Sequence, residues 1–255
     1  MGVLSIERNH LFVTLRMNRP EKRNALNRDL VDQLHQAIAA LSEDTEIRAI
    51  VLTGAGDAFS AGADLEVLRG LQHASYEENL ADSQALGRLF EVMYLCPKPI
   101  IGHINGHAIA GGCGLATLCD ITVSVPQARF GYTETQIGFV PALVSHFLPR
   151  KVSGTHASML LLSGLLIDAE EAARIGLITE VATDTDERVA FWVDRFTTRV
   201  SPQAVVATKT LLREIPDLPL KDAMAQAAEA NASARQTTDC RKGVAAFLNK
   251  DKIRW

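Results

Sequence analysis

Two short runs of small residues stand out for the chemistry they could support: FSAGADL at 59–65 and AIAGGCGLA at 108–116. Each follows an apolar run that reads as a buried strand. In the second run, Gly111, Gly112 and Gly114 open an apolar helix. The first N–H groups of a helix have no partners inside it, and its dipole is positive at that end. Two such amides aimed at one point would stabilise negative charge developing on a carbonyl oxygen. Glycine in a regular element costs about 1 kcal/mol relative to alanine. Three in so short a run therefore mark a place where a backbone must come close to something. Close packing of helix on strand, with no ligand involved, is the better explanation of the glycines when either run is taken alone.

Acid–base chemistry needs an ionisable side chain, and Glu134 in ARFGYTETQIGF is the leading candidate. In an apolar pocket its pKa would rise, which suits proton transfer near neutrality. At the head of a short helix it would equally serve as a surface residue. Tyr132, His107, His146, Asp64 and Glu66 lie near the same segments. Asp64 and Glu66 read as helix-start residues and His107 as a packed core histidine. Nothing near Cys113 would lower its pKa, so it does not read as a nucleophile. Lys22, Arg23 and Lys98 could meet phosphates, although solvated surface charge is the plainer reading of Arg23 and Lys98. There is no GxSxG, P-loop or HExxH motif, and GGCGLAT fails GxGxxG because position 117 is threonine. No cluster has metal-ligand spacing, so no metal is expected.

The elements that must hold these residues follow from patterning. The chain has 255 residues, 47% hydrophobic and 22% charged, enough for a sizeable core. A formal charge of −4 with no Lys/Arg-dense stripe argues against nucleic acid as a partner. No apolar run approaches the ~18 residues of a membrane span, and the N-terminus lacks a signal-peptide layout. The four cysteines form no CxxC pair and read as free thiols in a reducing compartment, so a cytoplasmic location is expected.

Alternation over 2–7 and 10–17 predicts a hairpin turning at Asn9-His10. Asn27 is placed to cap a helix carrying Leu30, Leu34, Ile38 and Leu41. IRAIVLTG and KPIIGHING read as buried strands, 76–95 as a helix stopped by Cys96-Pro97, and DITVSVPQARFG as two short strands paired together. This succession is an α/β pattern. Beyond about 190 the chain reads as alanine-rich helices without strands, which need a surface to pack on.

Six segments in order, MNRPEKRNALN, FSAGADL, INGHAIAGGCGLATLCDI, ARFGYTETQIGFVP, SGLLIDAEEAARIGLITEV and FLNKDKIRW, carry a resemblance along the whole chain. The sequence resembles the crotonase, or enoyl-CoA hydratase/isomerase, superfamily. That resemblance implies an α/β spiral of ββα units over residues 1–195, followed by a C-terminal helical trimerisation region over 196–255. It implies a homotrimer or a dimer of trimers. It also implies acyl-CoA thioester substrates, with coenzyme A as part of the substrate and no separate cofactor. By the same carry-over, the amides of Ala63 and Gly111 form an oxyanion hole and Glu134 is catalytic. Lys22, Ala25, Ala61, Asp64, Gly114 and Ala142 are expected at the substrate site.

One feature departs from the family pattern. Hydratases of the family usually carry a second glutamate three residues after the oxyanion glycine, and here that residue is Gly114. The space beside it is expected to hold a water, or a branched or polar acyl group. Three functions fit: hydration of a 2-enoyl-CoA with Glu134 as acid/base, Δ3,Δ2-enoyl-CoA isomerisation by Glu134 alone, and a non-catalytic acyl-CoA-binding trimer. Resemblance of IGFVPALVSHFLPRKV to bacterial enoyl-CoA and methylglutaconyl-CoA hydratase-like members places hydration first. Ala142 stands where a dehalogenase relative would need an aspartate nucleophile, which disfavours that chemistry.

Overall fold

Period-2 alternation folds β1 (Leu4–Arg8) onto β2 (Phe12–Met17) as an antiparallel hairpin, with Leu4 opposite Met17 and Arg8 opposite Val13. The computed structural model describes residues 2–255, apart from the side chain of Leu71. The apolar run β3 (Ala49–Gly54) is buried at every position because it lies parallel between β2 and β5 (Ile100–Ile104). Beyond β5 come β7 (Ile121–Ser124) and β10 (Glu180–Val181), completing a six-stranded sheet in the order β1-β2-β3-β5-β7-β10. A second sheet is built from the shorter strands β4 (Ala58–Ser60), β6 (His107–Ile109), β8 (Arg129–Gly131) and β9 (Ile167–Asp168).

The two sheets share their strands by a simple rule. Of the pairs β3–β4, β5–β6 and β7–β8, the first member enters the large sheet and the second enters the small one. A helix follows each pair, so ββα units repeat along the chain. The expectation that 120–131 holds two strands paired with one another is corrected here. Both edges of β7 are taken, by β5 and β10, so β8 pairs with β6 in the other sheet.

The helices begin where the sequence supplies caps. Asn27 Oδ1 accepts from the Leu30 N–H at 3.1 Å and starts α1 (Arg28–Glu43), which buries Leu30, Leu34, Ile38 and Leu41. α2 (Leu65–Leu71) starts at Asp64, and α3 (Tyr76–Leu95) at a reciprocal Ser75–Glu78 capping box. α4 (Gly111–Leu118) starts at the glycine run with no side-chain cap. α5 (Gly154–Ser163), α6 (Ala169–Arg174) and α7 (Thr185–Asp194) complete the body. Then α8 (Pro202–Glu214), α9 (Leu220–Ala234) and α10 (Thr238–Asn249) follow without a fully buried residue between them. Among the described residues, no helix is long and apolar enough to cross a membrane.

Lys98 is not surface charge. It is 7% exposed, and its ammonium donates to the carbonyls of Leu41 and Asp44 at the end of α1. All four cysteines are free; Cys96, Cys113 and Cys119 are buried and Cys240 is half-buried.

The polar loop before α1 is held by Asn24, which is fully buried in the left-handed region at φ +53°. Its Oδ1 accepts from Arg19 N–H at 2.9 Å, and its Nδ2 donates to the carbonyls of Ala55 and Ala58, both at 2.8 Å. Asn24→Ala leaves these groups without that partner and puts a Cβ-only side chain in a disfavoured backbone region. A loss of about 2–4 kcal/mol is expected in urea denaturation. A change below about 1 kcal/mol would show that the loop is held by other bonds.

Candidate active site

The two small-residue runs meet. Gly62 has φ +87°, and a Cβ there would lie 2.9 Å from both the Ala110 Cβ and the Ile109 carbonyl oxygen, and 3.6 Å from the Gly111 nitrogen. The first run is also tied to the loop before α1. Leu26 N–H donates to Gly62 O at 2.7 Å, and Asp64 N–H donates to Leu26 O at 3.1 Å. That single parallel bridge, Leu26 to Ala63, turns the Ala63 N–H away from Leu26, since strand amides alternate in direction. Opposite, Ala110 N–H donates to Gly131 O at 2.8 Å, and Ala110 sits at φ +49°, ψ −123°. So strained a backbone at a non-glycine residue marks a position held by its surroundings. The following residue, Gly111, is the first of α4, where amides lack intrahelical partners.

Ala63 and Gly111 both border a cavity of about 330 Å³. Its walls come from the start of α1, the inner face of α3, the first turn of α4 and the 132–144 segment. Most of the lining is apolar, including Val31, Leu86, Phe90, Phe139 and Val144. Glu134 also borders it, as the first residue of a short 3-10 turn, Glu134–Ile137. Its Oε2 is buried and has no hydrogen-bond partner. Burial pushes the Glu134 carboxyl above its ordinary range, slightly countered by a backbone hydrogen bond. A buried polar atom left unpaired in a native fold calls for an explanation, and a catalytic role is one.

The residues expected at the site divide clearly. Ala61, Ala63, Gly111, Gly114, Glu134 and Ala142 border the cavity, whereas Lys22, Ala25 and Asp64 do not. Lys22 lies on the surface with its Nζ 3.2 Å from Glu66. Ala25 is buried beneath the loop. Asp64, 2% exposed, binds Arg19 at 2.6 Å and accepts from Glu66 N–H at 2.9 Å, as a helix cap should. His107 is exposed rather than packed in the core; its Nδ1 accepts from the Arg129 N–H at 3.1 Å. His146 stacks edge-on against Tyr94 and Phe147 outside the cavity. Tyr132 does line the cavity but is fully buried, with its hydroxyl 2.5 Å from Thr117 Oγ1. Burial lifts the Cys113 thiol to about 12, so it holds its proton.

The space beside Gly114 is not open. A Cβ there would lie 2.5 Å from Phe90 Cζ and 2.9 Å from Phe90 Cε2. The ring is 2% exposed and meets Phe147 edge-on at 6.2 Å between centroids. The expected water or acyl group is therefore replaced by a phenylalanine ring from α3. The sequence points to the helix near 75–95 as a wall of the pocket but singles out none of its residues, although Asp82, Leu86 and Phe90 follow i, i+4 spacing and all border the cavity.

The chain matches the model of the family described as Enoyl-CoA hydratase/isomerase over residues 7–255. It belongs to that family. A Thermus thermophilus relative, provisionally named an enoyl-CoA hydratase, is 42% identical over 97% of this chain and 98% of its own length. The 2,3-dehydroadipyl-CoA hydratase of Escherichia coli is 35% identical over 98% and 97%. Among solved structures, an enoyl-CoA hydratase of Mycobacterium smegmatis superposes with a TM-score of 0.95 at 29% identity, covering 100% of this chain and 99% of that one. The fold is thus the crotonase type of α/β, with repeated ββα units and a helical C-terminal region. As a member of the enoyl-CoA hydratase/isomerase family, the chain is an enzyme that acts on acyl-CoA substrates.

Glu134 should make the fold less stable when ionised. Its pKa is raised on folding, so the stability it contributes is present below the ordinary glutamate range and is lost as pH rises through the raised value. Glu134→Gln should therefore have a higher Tm than the wild type at pH 8, with the difference shrinking at pH 4. An equal or lower Tm at pH 8 would mean that the carboxylate finds compensation inside the cavity.

Proposed function

We propose that the enzyme hydrates a 2-enoyl-CoA thioester, with Glu134 as acid/base and the amides of Ala63 and Gly111 holding the thioester oxygen as it becomes an enolate. The observation that carries this reading is the unpaired, buried Oε2 of Glu134 in the same apolar cavity that Ala63 and Gly111 border. An enolate needs donors aimed at oxygen and a proton carrier near C2, and this cavity has candidates for both. A carboxyl with a raised pKa can give and take a proton near neutrality. The predominantly apolar lining suits a hydrocarbon acyl chain. Relatives named as hydratases, including a crotonyl-CoA hydratase of Syntrophomonas wolfei at 33% identity, support the same reaction.

A second reading, Δ3,Δ2-enoyl-CoA isomerisation, is favoured by Gly114. Isomerisation needs one carboxyl to carry a proton between C2 and C4, and position 114 supplies no second one. A non-catalytic binding trimer is the weakest of the three. Such a protein gains nothing from a buried, unpaired carboxylate that destabilises its fold. The assembly we infer is a homotrimer or dimer of trimers. Leu212, Leu220 and Phe247 are 70%, 79% and 83% exposed on the C-terminal helices, so residues 196–255 serve for association and 1–195 as the acyl-CoA core.

Hydration adds solvent oxygen at C3, whereas isomerisation adds none. Incubation with 2-enoyl- and 3-enoyl-CoA panels in ¹⁸O-labelled water, followed by mass analysis, should show label in a 3-hydroxyacyl product from the 2-enoyl substrates. Conversion of 3-enoyl to 2-enoyl without label would replace the first reading with the second. Gly111→Pro removes one proposed donor at a helix position that tolerates proline. Turnover should fall about 10²–10³-fold while acyl-CoA binding persists. Wild-type turnover in the folded variant would exclude the Gly111 amide.

A further inference from the structure

The hydratase reading leaves a gap: water addition usually engages two carboxyl groups in this family, and position 114 carries none. Phe90 closes the nearest space, so a second carboxyl must reach the cavity from elsewhere. Among the described lining residues, the carboxylates are Glu134 and Asp82. Asp82 sits on α3, half-buried, with no hydrogen bond or ion pair to its carboxylate among the described residues.

Its position follows from the register of α3 on α4. Leu86 Cδ2 lies 3.9 Å from where a Cβ of Gly111 would stand, and Phe90 Cζ lies 2.5 Å from that of Gly114. The step from Leu86 to Phe90 therefore runs alongside the step from Gly111 to Gly114 in the same direction. Asp82 is one turn before Leu86, roughly 6 Å along the axis. That places it beyond the first residue of α4, on the side its unpaired amides face. The thioester carbonyl and its adjacent double bond must lie on that side if the Gly111 amide is to meet the oxygen.

We infer that Asp82 is the second carboxyl of the reaction, supplied by α3 instead of α4. This rests on the hydratase reading above. Water oxygen bonds to C3, the C2=C3 electron pair moves into the thioester as an enolate, and the water proton passes to the Asp82 carboxylate. Glu134 in its acid form then protonates C2 as the enolate collapses. The proton on Asp82 returns to Glu134 through solvent at the cavity mouth, so the cycle gains and loses none. Under this assignment, Glu134 and the oxyanion amides suffice to exchange a C2 proton, whereas adding water also requires Asp82.

That division sets the test. Asp82→Asn, Asp82→Glu and the wild type are compared on crotonyl-CoA and 2-hexenoyl-CoA hydration. Exchange at C2 of butyryl-CoA and hexanoyl-CoA in deuterium oxide is measured alongside. Asp82→Asn should lower hydration kcat by about 10²-fold or more, a typical general acid–base contribution, with little change in KM. Its C2 exchange should stay near the wild-type rate, and Asp82→Glu should recover part of the hydration. Two outcomes overturn the assignment: near-wild-type hydration by Asp82→Asn, or parallel loss of hydration and exchange, which marks a structural role. If the wild type adds no labelled oxygen to any 2-enoyl-CoA, the hydratase reading falls and the role of Asp82 with it. Label in the wild type with an unaffected Asp82→Asn overturns the Asp82 assignment alone.

Discussion

The site depends on two loops touching backbone to backbone at Gly62 and Ala110. Gly62 has no room for a Cβ and needs a positive φ, and Ala110 opposite is held in an unfavourable conformation of its own. Contacts this close do not maintain themselves. They are held from outside, by the Leu26–Ala63 bridge, by Asn24 beneath the loop, and by the Ser60 hydroxyl donating to Asn24 O at 2.9 Å. The buried Arg19–Asp64 pair fixes the same corner from its polar side. Arg19 and Asn24 of the NRPEKRN segment thus act as scaffold. Their role is to bring two small residues, Ala63 and Gly111, to one cavity wall.

A second close approach shapes the floor of that cavity. Gly114 lets α3 press the Phe90 ring against α4 where any side chain would stand. A longer residue at 114 would have to push the ring off its edge-on contact with Phe147. Interiors packed at crystal-like density resist such shifts. The glycine and the phenylalanine are therefore one structural choice, and it makes this part of the wall apolar. Among the described lining residues, the carboxylates stand elsewhere on the wall, at Glu134 and at Asp82 on α3.

Much of this was legible beforehand, for physical reasons that differ by element. The β1–β2 hairpin, the Asn27 cap and the stop at Cys96-Pro97 are local, each decided by a few neighbouring residues, and the sequence pattern locates them closely. The motif segments located the family, and with it the ββα spiral. What failed was long-range. Strand patterning cannot tell that both edges of β7 are occupied, so β8 was expected beside it. A lysine next to a proline gives no sign that its ammonium is buried under the end of α1, as at Lys98. The residues of the inner face of α3 could not be singled out for a related reason. Its hydrophobic periodicity announces burial, but only the register against α4 shows that Asp82 borders the cavity and that Phe90, a core residue, borders it as well. Asp64 shows the reverse, since position beside a motif does not put a side chain on the cavity, and His107, read as packed in the core, is exposed.

The far ends of the same helices complete the electrostatic arrangement. α1 and α4 begin at the cavity, and their last carbonyls carry the negative end of each dipole away from it. Each of those ends is met by a basic side chain. Lys98 caps the end of α1, and Lys151 Nζ donates to Cys119 O at 2.5 Å just past α4. The end of α3 is treated similarly by Arg213 of α8, which donates to Leu95 O at 3.1 Å. Lys209, one turn earlier on α8, donates to Lys98 O at 2.8 Å and to Asp120 at 2.6 Å. Basic side chains at helix C-termini satisfy orphan carbonyls, so these lysines and arginines serve as structural donors, although burial pushes Lys98 and Lys151 below the ordinary lysine range. α8 holds the body through them even though none of its residues is fully buried. The helical C-terminal region is therefore tied by polar bonds to the ends of the elements that build the cavity. Its large apolar residues Leu212, Leu220 and Phe247 are left on the outside, so this region is joined to the body through polar bonds and not through a shared apolar core.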